Sequence, residues 1–255
     1  MRQDSSQGLT INPVAGSPRL EIASPEFAGE VFVYTVPEAI GPADDVTWAH
    51  VRPNEITPEW NRGSSDVLSY AWRRPGQFAL AVQAAANHEH VDVQIKLSNI
   101  SQRSWPVTLA FCCMAPRGAP SFVDFDGTRT EVLLDDAWQA ITRLPRRDSP
   151  RPTVQLWYLQ DGPRKIPVVE SFAATPACYP SGAIAVRARG GGAALMLTSD
   201  RPLFLFSNLE YGCVHCCPGF GPLAPNESRV AVQRIFITSP ATPELLTKRA
   251  RALWQ

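Results

Sequence analysis

The segment Val91–Ser98 constrains the fold more than any other part of the sequence, because apolar and polar residues alternate strictly along it. Its branched apolar residues are separated one by one by aspartate, glutamine, lysine and serine. A period of two residues sends alternate side chains to opposite faces of a β-strand. The segment is therefore predicted to be a strand with one face in a core and the other in water.

Similar apolar runs recur along the chain between its 24 prolines and 16 glycines. This spacing is typical of many short strands joined by turns. The residues Asn99–Gln102 have turn chemistry, so Val107–Cys113 is predicted to pair with Val91–Ser98 as an antiparallel hairpin. Further strands are predicted at Val31–Val36, Phe78–Gln83, Val154–Leu159, Ile166–Phe172, Ile184–Arg189, Ala193–Thr198, Leu203–Ser207 and Val230–Ile237.

Only the C-terminal segment has the features of a helix. Thr242 can cap its N terminus, Pro243 suits the first helical position, and Glu244 is favourable at the positive end of the helix dipole. A helix is therefore predicted over about residues 243–254. Together these elements predict an all-β fold, a large antiparallel β-sandwich over residues 21–255 with a short C-terminal helix and a loose N-terminal arm over residues 1–20. Single all-β domains reach about 200–250 residues.

Net charge and hydropathy indicate which kinds of molecule the protein is not expected to bind. The 24 basic and 24 acidic residues give a formal net charge of zero, which argues against a nucleic-acid-binding protein. No segment has the roughly 18 apolar residues needed to span a bilayer, and the N terminus has no apolar run that would form a signal peptide. We therefore expect a cytoplasmic protein without membrane or nucleic-acid partners, and the sequence does not define its oligomeric state.

Cysteines are concentrated in two parts of the sequence. Cys112 and Cys113 are adjacent, and adjacent cysteines on a strand point to opposite faces, which makes a poor disulfide framework. We expect reduced thiols, although a cross-link from this strand to the Cys213–Cys217 segment stays open for an exported protein. The Gly- and Pro-rich segment Asn208–Gly221 is predicted to be a loop. His215 lies among its three cysteines, but their spacing is too compressed for all four residues to reach one zinc ion.

A second metal hypothesis combines His88, His90 and His215. Histidines at positions i and i+2 of an extended segment share a face, and a third imidazole from a distant segment could leave a coordination position open for catalysis. The same parity places His88 and His90 on the polar face of the strand with Asp92, where solvation is the simpler interpretation.

The segment Ser121–Thr130 offers acid–base groups. Asp124 and Asp126 share a face if the chain is extended there, and Arg129 follows closely. Two carboxylates that flank a sugar bond are the catalytic pair of most glycosidases. The same residues also fit an ordinary turn that leads into a strand.

Aromatic residues next to polar ones suggest sugar binding. Trp60 is followed by Asn61 and Arg62, so an indole could stack on a sugar ring while its neighbours bond the hydroxyl groups. The competing interpretation is that large aromatic side chains fill the core. Asn208 and Tyr211 in the predicted loop have the same mixed character.

Two stretches carry a family resemblance. Val91–Trp105 resembles the strand, Asn-x-Ser turn and aromatic residue of the sugar-handling supersandwich domains of the galactose-mutarotase-like group. Tyr211–Ile237 resembles the end of uncharacterised bacterial β-sandwich proteins, in which a Cys-x-His loop precedes a Leu-Ala-Pro-Gly-Glu turn. The resemblance implies a carbohydrate-associated fold. The catalytic histidine and glutamate of mutarotases have no residue-by-residue match, so mutarotase activity is not implied.

From these observations we predict a carbohydrate-associated β-sandwich protein that binds or processes a glycan in a loop-lined cleft, without a cofactor. A non-catalytic binding module and a metal-dependent enzyme using His88, His90 and His215 stay open as alternatives. The predicted catalytic residues are Asp124, Asp126 and His215, and the predicted substrate-binding residues are Trp60, Arg62, Arg129, Asn208 and Tyr211.

Overall fold

The computed structural model describes residues 8–51, 55–64, 66–134, 136–145, 153–159, 166, 173–179 and 182–254. Within these ranges the chain forms two nine-stranded sheets, here called sheet I and sheet II, that pack face to face. One α-helix, α1 (Pro243–Arg251), follows the last strand, and short 3-10 helices lie at Pro25–Phe27 and Ile141–Arg143. The predicted all-β sandwich with a C-terminal helix is confirmed.

Sheet I contains the four N-terminal strands together with five later ones. Its neighbours are antiparallel, except that β12 and β13 run parallel. In spatial order the strands are β1 (Thr10–Pro13), β2 (Arg19–Ala23), β3 (Val31–Pro42), β9 (Thr108–Gly118), β17 (Cys213–Pro218), β16 (Pro202–Asn208), β12 (Val154–Leu159) and β13 (Ala173–Tyr179), with β4 (Thr47–Trp48) paired to β3.

Sheet II is antiparallel throughout the described part of the chain. In spatial order its strands are β11 (Ala137–Ala140), β10 (Thr130–Leu134), β14 (Ala183–Arg187), β15 (Ala194–Ser199), β18 (Ser228–Thr238), β8 (His90–Asn99), β7 (Phe78–Ala86), β6 (Val67–Arg74) and β5 (Asn61–Ser64).

The alternating segment forms β8, in the interior of sheet II between β7 and β18. Val91, Val93, Ile95 and Leu97 are fully buried between the sheets, as the alternation predicts. Burying a side chain of this size contributes roughly 1.5–3 kcal/mol to folding. This strand therefore anchors the interior of the sandwich.

The predicted hairpin between β8 and β9 is wrong, because the two strands belong to different sheets. After β8 the chain crosses from sheet II to sheet I. The buried Asn99 amide donates to the carbonyls of Arg103, at 2.8 Å, and Leu223, at 3.0 Å. These bonds satisfy the backbone carbonyls of the connecting loop. The polar turn residues therefore form a connection between the two sheets and not a hairpin.

The N-terminal segment differs from the expected loose arm. Residues 10–13 form β1, which pairs with β2. Leu9, Ile11 and Leu20 are each no more than 5% exposed. Burial of these apolar side chains fixes the segment from residue 9 onward to the edge of sheet I.

The C-terminal helix begins as predicted, with the Thr242 side chain accepting a hydrogen bond from Leu245 N at 3.2 Å. Leu246 and Ala250 are fully buried with Met196 and Phe236, so the helix covers the outer face of sheet II. No helix in the described part of the chain is long and apolar enough to cross a membrane. Of the predicted strand Ile166–Phe172, only Ile166 lies within the described residues.

The predicted loop Asn208–Gly221 is wrong over much of its length, because residues 213–218 form β17 in the middle of sheet I. All six residues of this strand are buried. On one face Val214 and Cys216 join the core between the sheets, whereas Cys217 joins a second apolar cluster on the other, outer face. Sheet I is thus covered on both faces here, which removes the alternation that identifies a half-exposed strand.

Candidate functional site

The register of β17 places His215 beside a cysteine from a distant part of the sequence. Val214 pairs with Met114 of β9, which puts Cys113 opposite His215. On the other side of β17, Phe206 pairs with His215 and Asn208 pairs with Cys213. Cys113, Cys213 and His215 consequently project from one face of sheet I, the outer face.

The ligand atoms of Cys113, Cys213 and His215, here called the Cys–His cluster, all lie within 4.8 Å of one another. The Cys213 Sγ atom is 3.4 Å from Nε2 of His215. Among the described residues this is the one group of three metal-ligating side chains at such distances. Cys113 and Cys213 are 5% and 6% exposed, whereas Cys112, Cys216 and Cys217 are fully buried.

Aromatic rings enclose the histidine of the cluster. The His215 ring centroid lies 4.7 Å from that of Phe111 and 4.8 Å from that of Phe206. Trp48 packs against Phe111 with a centroid separation of 6.0 Å. Nδ1 of His215 is buried and has no hydrogen-bond partner of good geometry among the described residues. The imidazole is therefore held rigidly in an apolar setting, with Nε2 directed at Cys213.

The cluster favours a thiolate on Cys213. A hydrogen bond from Cys113 lowers the pKa of Cys213 to about 5 against the opposing effect of burial, and the charge of His215 adds to the lowering. The hydrogen bond to Cys213 raises the pKa of Cys113, as does burial. Burial alone would lower the pKa of His215, but the neighbouring Cys213 raises it overall. These shifts favour the thiolate form of Cys213 and leave Cys113 as the group that donates the hydrogen bond to it.

Glu38 adds a carboxylate to this environment. It lies in an irregular stretch of β3, where the pairing with β9 shifts register between Thr35 and Ala39. Its half-buried side chain adds to the raising of the Cys113 pKa, after the larger effects of the hydrogen bond to Cys213 and of burial. A carboxylate therefore contributes to the electrostatics of the two thiols and the imidazole on the outer face of sheet I.

The predicted triad of His88, His90 and His215 is not assembled, so this metal hypothesis is wrong for the described geometry. His88 is exposed, and His90 contacts Asp92, Asn87 and Phe236 on sheet II. His215 lies on sheet I. The polar-face parity of His90 and Asp92 is confirmed by the 3.2 Å contact between them.

Asp124 and Arg129 belong to a buried network of hydrogen bonds. The Asp124 carboxylate is 3% exposed and accepts hydrogen bonds from Arg129 N at 3.0 Å and Thr130 Oγ1 at 2.7 Å. The Arg129 guanidinium donates to the carbonyls of Ser121, Val123 and Arg187. These bonds account for the buried polar groups of the segment, which favours a structural role for both residues.

Asp126 is exposed and closes a tight turn. Its Oδ1 atom accepts hydrogen bonds from Thr128 Oγ1 at 2.7 Å and Thr128 N at 3.0 Å. These bonds lower the pKa of Asp126 to about 2, helped by a hydrogen bond with Asp124. Asp126 is thus ionised at neutral pH. Asp124, Asp126 and His215 do not bring their ligand atoms within 4.8 Å of one another.

Tyr211 and Asn208 lie on the turn between β16 and β17, beside two residues that the sequence did not indicate. Tyr211 is 49% exposed, and the Arg117 guanidinium stacks over its ring at 5.0 Å. Phe125 is 60% exposed and borders the same turn, since a Cβ on Gly212 would lie 3.3 Å from its ring. We call this group of Arg117, Phe125, Asp126, Asn208 and Tyr211 the aromatic end.

Trp60 and Arg62 are not part of either group. Trp60 donates from Nε1 to the Ser17 carbonyl at 2.8 Å and packs against Tyr70 with a centroid separation of 4.6 Å. Arg62 donates to the carbonyl of Ile11 at 3.3 Å. Both residues hold the N-terminal strands against sheet II.

An open depression of about 380 Å³ lies over strands β6, β7 and β8 of sheet II. Ala71, Ala79 and Ala81 form its floor, with Lys96 and Ser98 beside them. None of the predicted site residues lines it.

No family model matches the sequence, and no curated protein matches it. Solved structures do resemble the fold. A galactose mutarotase related enzyme from Lactobacillus acidophilus aligns with a TM-score of 0.50 at 10% identity, over 91% of this chain and 98% of that one. An α-N-acetylgalactosaminidase from Bifidobacterium bifidum, solved in complex with GalNAc, aligns with a TM-score of 0.54 at 12% identity, over 99% of this chain and 39% of that one.

The chain therefore has the galactose-mutarotase-like fold. The predicted resemblance to the galactose-mutarotase-like group is thereby confirmed at the level of the fold. Among the described residues, the Cys–His cluster on sheet I and the aromatic end are the two groups whose side chains could bind a ligand.

Proposed function

We propose that the chain is a carbohydrate-binding protein whose ligand contacts the aromatic end. The observation that carries the proposal is the pair of exposed rings, Phe125 and Tyr211, on either side of Gly212. Exposed aromatic rings next to charged and amide groups are typical of ligand sites. The apolar face of a sugar ring can stack on an aromatic ring while neighbouring polar groups bond its hydroxyls.

Polar groups of both kinds surround these rings. The Arg117 guanidinium supplies donors, and the ionised Asp126 carboxylate supplies acceptors. Asn208 holds the turn by accepting from Glu210 N at 3.0 Å through Oδ1. Its amide nitrogen can donate to a ligand. This mixture suits a neutral, polyhydroxylated molecule better than an anion or an apolar ligand.

The named relatives support the choice of sugar. One is described as a galactose mutarotase related enzyme, and the other is an α-N-acetylgalactosaminidase with GalNAc bound. We therefore choose galactose and N-acetylgalactosamine as the first ligands to test. The chain spans 39% of the length of the second protein, so its hydrolytic activity is not part of the proposal.

Catalysis by Asp124, Asp126 and His215 stays a hypothesis. The buried hydrogen bonds of Asp124 and the turn contacts of Asp126 favour positioning over acid–base work. Binding is accordingly the function that the geometry supports best.

Saturation-transfer-difference NMR with D-galactose and N-acetyl-D-galactosamine tests the proposal, with the acyclic mannitol as a comparison sugar. We expect transfer to the two pyranoses in the wild-type protein. Tyr211→Ala and Phe125→Ala should each weaken binding at least about tenfold, which corresponds to about 1.4 kcal/mol. The matched control is Val51→Ala, which truncates an apolar side chain that is 47% exposed outside the aromatic end.

The control should bind as the wild type does. Absence of transfer to both pyranoses would overturn the proposal, as would an equal loss of binding in Val51→Ala.

A further inference from the structure

The Cys–His cluster has the donor set of a metal site, and the sugar-binding proposal does not use it. Its residues come from adjacent strands of sheet I, with Cys113 on β9 and both Cys213 and His215 on β17. Strands at the centre of a sheet hold their side chains more precisely than loops do. The ligand atoms are therefore held together by the fold itself.

The distances fit tetrahedral coordination. Around a tetrahedral zinc ion a thiolate sulfur and an imidazole nitrogen lie about 3.5 Å apart, and two thiolate sulfurs lie about 3.8 Å apart. The observed separation between Cys213 Sγ and His215 Nε2 is 3.4 Å, and all three ligand atoms lie within 4.8 Å of one another. A contraction of at most about 1 Å would bring the three atoms onto one ion.

The surroundings also suit a metal. The imidazole is fixed by Phe111 and Phe206, and Nε2 is the nitrogen directed at the thiol of Cys213. With three protein ligands, tetrahedral zinc retains a fourth position, which a carboxylate or a water molecule can occupy.

We propose that Cys113, Cys213 and His215 bind one zinc ion through the two sulfurs and Nε2, with the fourth coordination position left to a water molecule or another ligand. Thiolate and imidazole ligands favour zinc over magnesium and calcium, which prefer oxygen. The site is independent of the sugar proposal, because none of its residues belongs to the aromatic end.

The test uses the full-length protein, purified under reducing conditions and incubated with one equivalent of zinc. After removal of free metal, elemental analysis should find one zinc ion per chain. Replacement of zinc by cobalt should give the near-ultraviolet charge-transfer absorption of thiolate–cobalt bonds together with the visible bands of tetrahedral cobalt. The cobalt spectrum reports the ligands of the wild-type protein directly and does not depend on any variant.

Cys113→Ala and Cys213→Ala should each weaken zinc binding by at least about 100-fold. Loss of a residue that only orients a metal ligand already costs up to about 100-fold in affinity. The matched control is Cys112→Ala. Cys112 is adjacent to Cys113 and fully buried, but its side chain joins the core on the opposite face. Circular dichroism of each variant checks that the sheets are retained.

Three results would overturn the proposal. The first is substoichiometric zinc in a wild-type protein whose thiols titrate as reduced. The second is a cobalt spectrum without thiolate charge transfer. The third is a Cys113–Cys213 disulfide, found by peptide mass mapping without reductant, that persists when zinc is present during purification.

Discussion

The hydroxyl of Tyr34, on β3, donates a hydrogen bond to Oε1 of Gln233, on β18, across the interior of the sandwich. Gln233 in turn donates from its amide nitrogen to the carbonyl of Cys216 on β17. Tyr34 and Gln233 are 0% and 1% exposed. A continuous polar link therefore connects the two sheets inside the core.

Tyr34→Phe should destabilise the protein by about 1–3 kcal/mol, because it leaves Oε1 of Gln233 buried without a donor. Chemical denaturation, with the free energy of unfolding extrapolated to water, measures the change. Tyr211→Phe removes a hydroxyl from an exposed ring and should stay within about 0.5 kcal/mol of the wild type. Equal effects in the two variants would contradict the role of the inter-sheet bond.

Asn99→Ala should cost about 2–3 kcal/mol, since it removes the donors to Arg103 and Leu223 and the acceptor for Ser101 N. The exposed Asn61→Ala serves as a control and should change stability little. A loss of sugar binding in Asn99→Ala without a loss of stability would indicate a ligand contact instead. We expect the opposite, because Asn99 is fully buried.

Asp92 should make stability depend on pH in the acid range. Burial alone would raise its pKa, but hydrogen bonds from His90 and Arg234 lower it from 3.8 to about 2. A lowered pKa means that the ionised form stabilises the fold. This contribution is fully present above about pH 4 and is lost as the pH falls towards 2.

Asp92→Asn should therefore reduce the free energy of unfolding at pH 7 by about 1 kcal/mol or less, because solvent screens a side chain that is 33% exposed. The difference between variant and wild type should shrink as the pH approaches 2. Thermal melts over this pH range measure both effects. A constant difference at all pH values would contradict the ion pair with Arg234.

Asp124→Asn tests whether the buried carboxylate supports the fold or performs chemistry. We expect a loss of about 1–3 kcal/mol in stability, because the new amide group directs a donor or a weaker acceptor at Arg129 N and Thr130 Oγ1. Urea unfolding provides the measurement. An unchanged unfolding midpoint, combined with loss of any activity found on galactosides, would instead favour the catalytic hypothesis.

Strands that face water on one side were predictable from the sequence. The alternation in Val91–Ser98 reflects a real difference between the two faces of β8, and the observed strand extends the predicted one by a residue at each end. The capping residue Thr242 was equally readable, because the chemistry of a helix N terminus is local.

The strand β17 was not predictable in this way. It is buried on both faces, so its sequence has no polar–apolar period, and Gly212 and Gly219 at its ends resemble loop residues. The sequence also did not predict that β8 pairs with β18 and not with β9. A polar turn favours a local hairpin, whereas the observed path depends on contacts distant in sequence, such as that between Asn99 and Leu223.

In the candidate site, too, contacts between residues close in sequence were predictable, whereas contacts between distant strands were not. The spacing of Cys213 and His215 does indicate a shared face once the segment is known to be a strand. Their partner Cys113 could not be inferred, because its position depends on the register of β9 against β17. Phe125 and Arg117 of the aromatic end were missed for the same reason.

The Cys–His cluster is assembled from two strands that lie far apart in the sequence. Binding of an ion there is therefore thermodynamically coupled to folding. An unfolded chain holds Cys113 at an essentially random distance from His215, so it cannot offer the same affinity. Binding to the native state alone adds a stabilisation that grows with the logarithm of the free metal concentration. Availability of metal would then set the fraction of chains that are folded at equilibrium.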